Sequence, residues 1–196
     1  MRKLKHPPGE CSSTLPEGKS RNAAATRIAI LEAARNRFLQ DGYDNAGLRA
    51  IAGDAGIDAA LISRYFGSKK QLFAEVLETT REESIDIFTG DRSTCGRRIA
   101  GKILGPASKS ANKMLFIGLV TSSSASPEAS SLVHNHIEKY FMKPFAKWLG
   151  GPDAKDTAWL VSSMLMGVAI MDTIKPDKNN CVDLLGVMLQ AIIDSA

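Results

Sequence analysis

Cysteine is scarce in this chain of 196 residues. Cys11, Cys95 and Cys181 are odd in number, far apart and without a C-x-x-C spacing, so neither a disulfide framework nor a zinc site is suggested. They read as reduced bystanders. Histidine is equally sparse: His6 lies near the N-terminus, and His134 with His136, at i and i+2, would point to different sides of a helix rather than to one metal. No phosphate-binding glycine loop or H-E-x-x-H is present, and Ser122 to Ser124 lack a G-x-S-x-G setting. The expectation is therefore no catalytic residue, no metal and no cofactor. Asp172 is the one carboxylate beside a long apolar run, and its place near a helix end predicts exposure.

Long apolar runs are also missing. The longest, Met114 to Val120 and Ala158 to Met171, fall short of the ~20 residues a spanning helix needs, and Ser162, Ser163 and Gly167 interrupt the second. No apolar segment follows Arg2, Lys3 and Lys5, so no secretory signal is expected, and a soluble, cytoplasmic protein with no membrane partner is the default. The net charge of +4 is a mild bias towards polyanions, too weak to identify a nucleic-acid protein by itself. A hydrophobic content of 44% suffices for a helical protein with a sizeable core, or for two small domains sharing a long helix.

What is present is helical periodicity, set off from a first stretch without it. Residues 1–22 hold Pro7, Pro8, Gly9, Pro16 and Gly18 among serines and basic residues, and read as a flexible basic arm that either lies along phosphates or is a solvated tail. From Ala23 to Gln40, Ile30, Leu31, Ala34 and Phe38 form a helical stripe, which Gly42 ends. A second helix is predicted from Leu48 to Ala55, weakened by Gly53 at a cost of ~1 kcal/mol relative to alanine. Gly56 makes the turn, and Asp58 caps a third helix from Ala59 to Phe66. Ser68-Lys69-Lys70-Gln71 matches a capping box, opening a helix with Leu72, Phe73, Val76 and Leu77 inward. Two short helices around a glycine turn, braced on each side, are what a helix-turn-helix reader requires.

The stretch from Thr26 to Leu77 resembles the N-terminal domain of the TetR-type transcriptional regulators. Ile30-Leu31, Ala33-Ala34, Phe38, Gly42-Tyr43, Ile51-Ala52, Ala55-Gly56-Ile57, Tyr65-Phe66, Ser68-Lys69 and Leu72-Phe73 agree in register. The resemblance implies a DNA-binding domain over 23–77, with the motif at about 47–66. It implies a recognition helix at Asp58 to Phe66, with Ala59, Ala60 and Ser63 facing the groove and Arg64, Tyr65 and Lys69 at phosphates or the groove edge. Arg27, Gly47 and Arg49 complete the candidate DNA contacts. The residues depart from the family where Gly47 replaces a frequent hydroxyl residue and Ser63 a frequent aromatic, so Gly47 retains only its backbone N–H.

Beyond Leu77 the reading rests on pattern. The pattern predicts an all-α fold in which a connecting helix, continued from Glu78 to Phe88, leads out of the head, and the resemblance implies that residues 78–196 form an effector-binding and dimerisation domain. Further helices are predicted over Asp91 to Leu104, ended by Gly105-Pro106, and over Ala111 to Ser124. Another should start at Ser126-Pro127-Glu128 and reach Leu149, kinked or divided at Pro144, and two more should span Ala154 to Ile174 and Cys181 to Ile193. The last two are apolar on more than one face, and a second copy of the chain is the expected cover. The resemblance likewise implies a homodimer with a four-helix bundle, where Gly167 and Gly186 would permit close approach, and an inverted-repeat operator in double-stranded DNA. A small apolar ligand is expected among Met114, Phe116, Ile117, His134, Phe141, Trp148, Trp159, Met164 and Met171, although such side chains are also ordinary core. The function expected is a repressor released from its operator by that ligand. A DNA-binding dimer governed by a protein partner, or by no effector, stays open.

Overall fold

A computed structural model describes residues 17–81, 88–105, 110–174 and 181–196, with side chains from Ala23 onward. The arm up to residue 16, residues 82–87 of the expected connecting helix, the break after Gly105 and the loop before Cys181 lie outside the described residues. All regular structure among the described residues is helical: α1 (Glu17–Asn45), α2 (Leu48–Asp54), α3 (Ala59–Phe66), α4 (Lys69–Thr79), α5 (Cys95–Leu104), α6 (Ala111–Ser123), α7 (Pro127–Ile137), α8 (Lys143–Leu149), α9 (Ala154–Ile174) and α10 (Cys181–Asp194). A short 3-10 turn, Arg92–Thr94, precedes α5, and a π-turn, Glu138–Met142, joins α7 to α8.

Several expected boundaries move. Helix α1 reaches back to Glu17, into the stretch assigned to the arm, because no proline falls between Glu17 and Asn45 and Lys, Arg and Ala favour helix. Gly42 (φ 73°, ψ 171°) breaks the helix, which resumes for one turn. A side chain at Gly42 would also lie 2.9 Å from the Ser122 carbonyl oxygen, so both backbone angle and space require glycine. Helix α4 ends at Thr79, where the Thr79 and Thr80 hydroxyls each donate to a carbonyl one turn back, at Val76 and Leu77. Half of the expected capping box forms: the Ser68 hydroxyl accepts from the Gln71 N–H at 3.1 Å, while the Gln71 side chain meets that hydroxyl instead of the Ser68 N–H. Pro144, which lacks an N–H, follows the π-turn, so the extra residue per turn absorbs the defect without ending the helical path.

Two hydrophobic cores result. The first unites α1–α4 and includes Leu115 and Leu119 of α6 and Ala129 and Val133 of α7. The second joins α5, α8, α9 and α10 around Phe145, Ala158, Leu165 and Leu189. Helix α10 lies on α5 through glycines: Gly186 backs onto the Arg97 backbone, so it serves packing within the chain and not approach to a second copy. A Cβ on Gly96 would sit 2.5 Å from both the Gln190 nitrogen and the Gly186 oxygen. Gly96→Ala is expected to lower stability by about 1–2 kcal/mol, since overpacking against backbone outweighs the ~1 kcal/mol gain in helix propensity. Gly53, with open space around its Cβ position, should instead gain stability on the same change. Chemical denaturation of both variants tests this, and a stabilised Gly96→Ala would refute the packing account.

Asp172 is half-buried, 16% exposed, with its carboxylate 3.8 Å from the Lys113 ammonium, contrary to the exposure expected. A cation on α6 opposite its helix end makes burial tolerable. Helix α9, at 21 residues, is longer than the apolar run within it and meets the length and composition of a spanning segment. Its Ala158, Val161, Leu165 and Ala169 side are nevertheless buried inside the protein.

Candidate nucleic-acid interface

Helix α3 separates its faces cleanly. Ile62 and Phe66 are buried in the head, whereas Ala60, Ser63, Arg64 and Gly67 are exposed, a spacing of one helical face. Asp58 starts the helix by accepting from the Ala60 N–H at 2.7 Å, so its carboxylate is committed to capping. Ala59 and Tyr65 are half-buried at the margins. Arg64 makes no hydrogen bond or ion pair with a described residue, and its guanidinium is available for a planar, bidentate contact. The small side chains at 60 and 63 would let the helix backbone approach a groove closely.

Flanking residues divide into available and committed. Arg49, at the start of α2, is exposed. Gly47 caps α2 in an extended conformation without a side-chain bond, and space around it is open, so a hydroxyl residue there would meet no obstacle. Arg27, by contrast, pairs with Glu75 and lies 5.0 Å over the Phe66 ring. Lys69 donates to the Asp44 carbonyl at 2.9 Å and sits 4.8 Å over the Tyr43 ring. Both brace the head, so a role at DNA would require them to leave these partners.

The start of α7 grips the head from behind. Tyr43 donates to Glu128 at 2.9 Å, and burial together with that carboxylate pushes its hydroxyl pKa well above the usual value, so it stays a donor. Ser126 donates to Asp44 at 2.8 Å while accepting from the Ala129 N–H, and Lys70 lies 3.9 Å from Glu128.

At the opposite end of α4, a cavity of about 440 Å3 opens between the two cores. Thr80 and Arg81, just beyond α4, border it, and Phe116, Phe141, Leu165 and Met166 supply apolar wall. Of the nine side chains expected at a pocket, Phe116, Ile117 and Phe141 line this cavity. Met114, Trp159 and Met171 are 49%, 54% and 61% exposed on outer faces. His134 is exposed too, and its neighbour His136 lines the cavity instead, with burial lowering its pKa against the opposing pull of Glu78. Trp148 packs on Phe88 and Arg92, and Met164 on the second core. On α9 the cavity takes Ser162, Leu165, Met166 and Ala169, one turn-spaced face that a helix apolar all round does not announce.

Comparison with known families matches residues 30–76 to "Bacterial regulatory proteins, tetR family" and residues 93–193, more than half of the chain, to "Tetracyclin repressor-like, C-terminal domain". The chain belongs to the tetR family. Its membership places it among transcriptional regulators rather than enzymes. The tetR-family head is 41% identical over 59 residues to the HTH-type transcriptional repressor SCO4008 of Streptomyces coelicolor, a match covering 30% of this chain and 31% of that repressor's length. Among solved structures, the TetR-family regulator SCO0857 from Streptomyces coelicolor A3 is 27% identical, with a TM-score of 0.54 over 87% of this chain and 96% of that one. NalD of Pseudomonas aeruginosa, the secondary repressor of the MexAB-OprM multidrug efflux pump, shares the fold with a TM-score of 0.69 at 17% identity, over 86% and 95% of the two chains. The clasp of Tyr43, Lys70 and Glu128 was not legible in the tetR-like pattern. Tyr43 and Glu128 are 85 residues apart, and no spacing rule links them.

Proposed function

We propose that this tetR-family protein is a dimeric, cytoplasmic repressor that reads an inverted-repeat operator with α3 and leaves it when a small ligand fills the cavity beside α4. The observation that carries this reading is the position of α4. Its first residues, Ser68 and Lys69, follow the reading helix directly, and Thr80 and Arg81 beyond its other end border the cavity. A ligand that displaces Thr80 and Arg81 pushes on an 11-residue helix whose other end carries the reading head. The clasp at Glu128 supplies a second route, because α7 carries both this residue and the cavity-lining His136 and Ile137.

The homodimer rests on an unpartnered apolar face. Leu160, Gly167, Met171 and Ile174 of α9 and Leu184, Val187 and Met188 of α10 are exposed along turn-spaced stripes. Singly exposed apolar residues are ordinary, but a turn-spaced stripe on each of two helices that pack into the same core supports a protein contact.

Selection of binding sites from random double-stranded DNA tests the head. The expected product is an inverted repeat with half-sites about one helical turn apart. Arg64→Ala should weaken binding by roughly 5–150-fold, equivalent to the 1–3 kcal/mol of a specific base contact, and relax the sequence at one position of each half-site. If Arg64 instead holds phosphate, affinity falls evenly across sequences and the salt slope shrinks by about 1 per site. Enrichment of an unchanged site with unchanged affinity would remove Arg64 from the interface. Ligands found by thermal shift should lower operator affinity, and binders without that effect would defeat the switch.

A further inference from the structure

The described wall of the cavity has a one-sided charge. Among the described residues, Arg81, Lys102 and Lys113 line it together with neutral and apolar side chains, and no aspartate or glutamate does. Two described carboxylates behind the wall are already engaged. Glu78 accepts from the Tyr140 hydroxyl and lies 3.6 Å from the Lys139 ammonium, while Asp172 answers Lys113 at 3.8 Å. Neutral donors are spent as well: the Tyr140 hydroxyl on Glu78, the Ser162 hydroxyl on the Ala158 carbonyl and the Thr80 hydroxyl on the Leu77 carbonyl. Apart from the His136 ring, whose Nδ1 lies 4.0 Å from Glu78, what remains is cationic. Lys102 makes no hydrogen bond or ion pair with a described residue through its ammonium, and Arg81 rests on the Tyr140 ring, 5.2 Å from its centre, leaving guanidinium edges available. Both are exposed residues that also line the cavity, which puts them at its mouth.

We propose that the cavity takes an organic anion: an apolar body seated among Phe116, Phe141, Leu165 and Met166, with a carboxylate held at the mouth by Lys102 and Arg81. The proposal deepens the ligand switch proposed above and rests on that reading for its consequence at DNA. The volume, about 440 Å3, is that of a site for a drug-sized molecule. An amine of the same shape would bring a fourth cation to a wall whose described residues offer no free carboxylate, and a neutral alcohol would forgo the charge-assisted bonds that Lys102 and Arg81 can donate.

Three probes share one apolar body and differ in charge: naphthoate, naphthylmethanol and naphthylmethylamine. Calorimetric titration of the full chain should find naphthoate bound about tenfold or more tightly than either of the others. Lys102→Glu should weaken naphthoate by about tenfold and strengthen the amine, and Lys102→Gln should give an intermediate loss. Lys102→Gln is expected to leave the unfolding temperature almost unchanged, and Lys102→Glu to lower it slightly, because Lys102 stands in the last turn of α5, where the helix end favours a cation. The proposal is overturned if naphthoate fails to bind, if the alcohol or amine equals it, or if Lys102→Glu leaves the order intact. Operator release is measured separately with the same probes. Naphthoate bound in the expected order without release would leave the ligand class standing and remove the switch. Release by the amine through this cavity would keep the switch and overturn the ligand class.

Discussion

Val187→Arg is expected to split the protein into single chains of 21.1 kDa and to cut its affinity for an inverted-repeat site by at least a hundredfold. Val187 is 66% exposed on α10, so within one chain arginine meets solvent and costs almost nothing. In the proposed bundle the same side chain would be enclosed by the partner's α9 and α10. Breaking a charge-free apolar contact with an unpaired buried cation costs about 3–5 kcal/mol, and two-fold symmetry places two such cations in one interface. The effect on DNA follows from geometry. Two heads joined at a fixed separation bind the second half-site at high effective concentration, and a single head does not. Sedimentation gives the mass and operator titration the affinity. A variant that stays dimeric and binds normally would show that this face does not join the subunits.

The same face shows what sequence reasoning reaches and where it stops. That apolar residues occupy more than one side of α9 and of α10 was legible, and Leu160, Met171, Val187 and Met188 are exposed within one chain. Which side faces outward was not. A helix with a single apolar stripe carries its own phase, whereas in α9 Trp159, Met166 and Ile170 stand opposite the stripe of Leu160, Val161, Met164, Leu165, Val168 and Met171, so that apolar residues go round the helix. The phase is set by what packs on it, namely α5, α8 and the cavity, and those contacts are long-range. For this reason Met171 and Trp159 were expected in a pocket yet lie outside, Met166 lines it unforeseen, and Gly186 turned out to serve α5.

The head was legible for the opposite reason, because its signals are local. Asp58 two residues before the N–H it caps, Gly56 at the turn (φ 67°) and Ile62 with Phe66 one turn apart are all contained in a dozen residues. The roles of Arg27 and Lys69 were less so. Composition marks both as cations near DNA, but Glu75 and the Asp44 carbonyl, 48 and 25 residues distant, occupy them in the structure. Equally, the residues at 78–88 continue an acceptable helical pattern, yet α4 stops at Thr79, an end that propensity alone does not mark.

The first core also carries a burden that its place in the chain conceals. Phe73→Ala is expected to lower stability by about 3–5 kcal/mol, the largest loss from any single substitution considered. Phe73 is fully buried and stands edge-on to Phe38, with ring centres 5.0 Å apart at 89°, and to Tyr43 at 5.1 Å and 73°. Removing it takes away its own buried area and both aromatic contacts, and the surrounding helices cannot collapse into the gap, since Phe38 and Tyr43 are themselves fixed by stacking. Tyr43 then loses the wall that aims its hydroxyl at Glu128, so the damage should reach the α7 clasp as well as the head. Denaturant titration should show the large loss, while operator binding should fail at a temperature where the unaltered protein still binds. Arg37→Ala makes the contrast. Arg37 joins α1 to α2 through Asp54 at 2.5 Å and pairs within α1 with Asp41 at 3.3 Å, but in solvent, where such pairs contribute little. A Phe73→Ala loss no greater than that of Arg37→Ala would mean that the three rings are not what holds the reading helix in place.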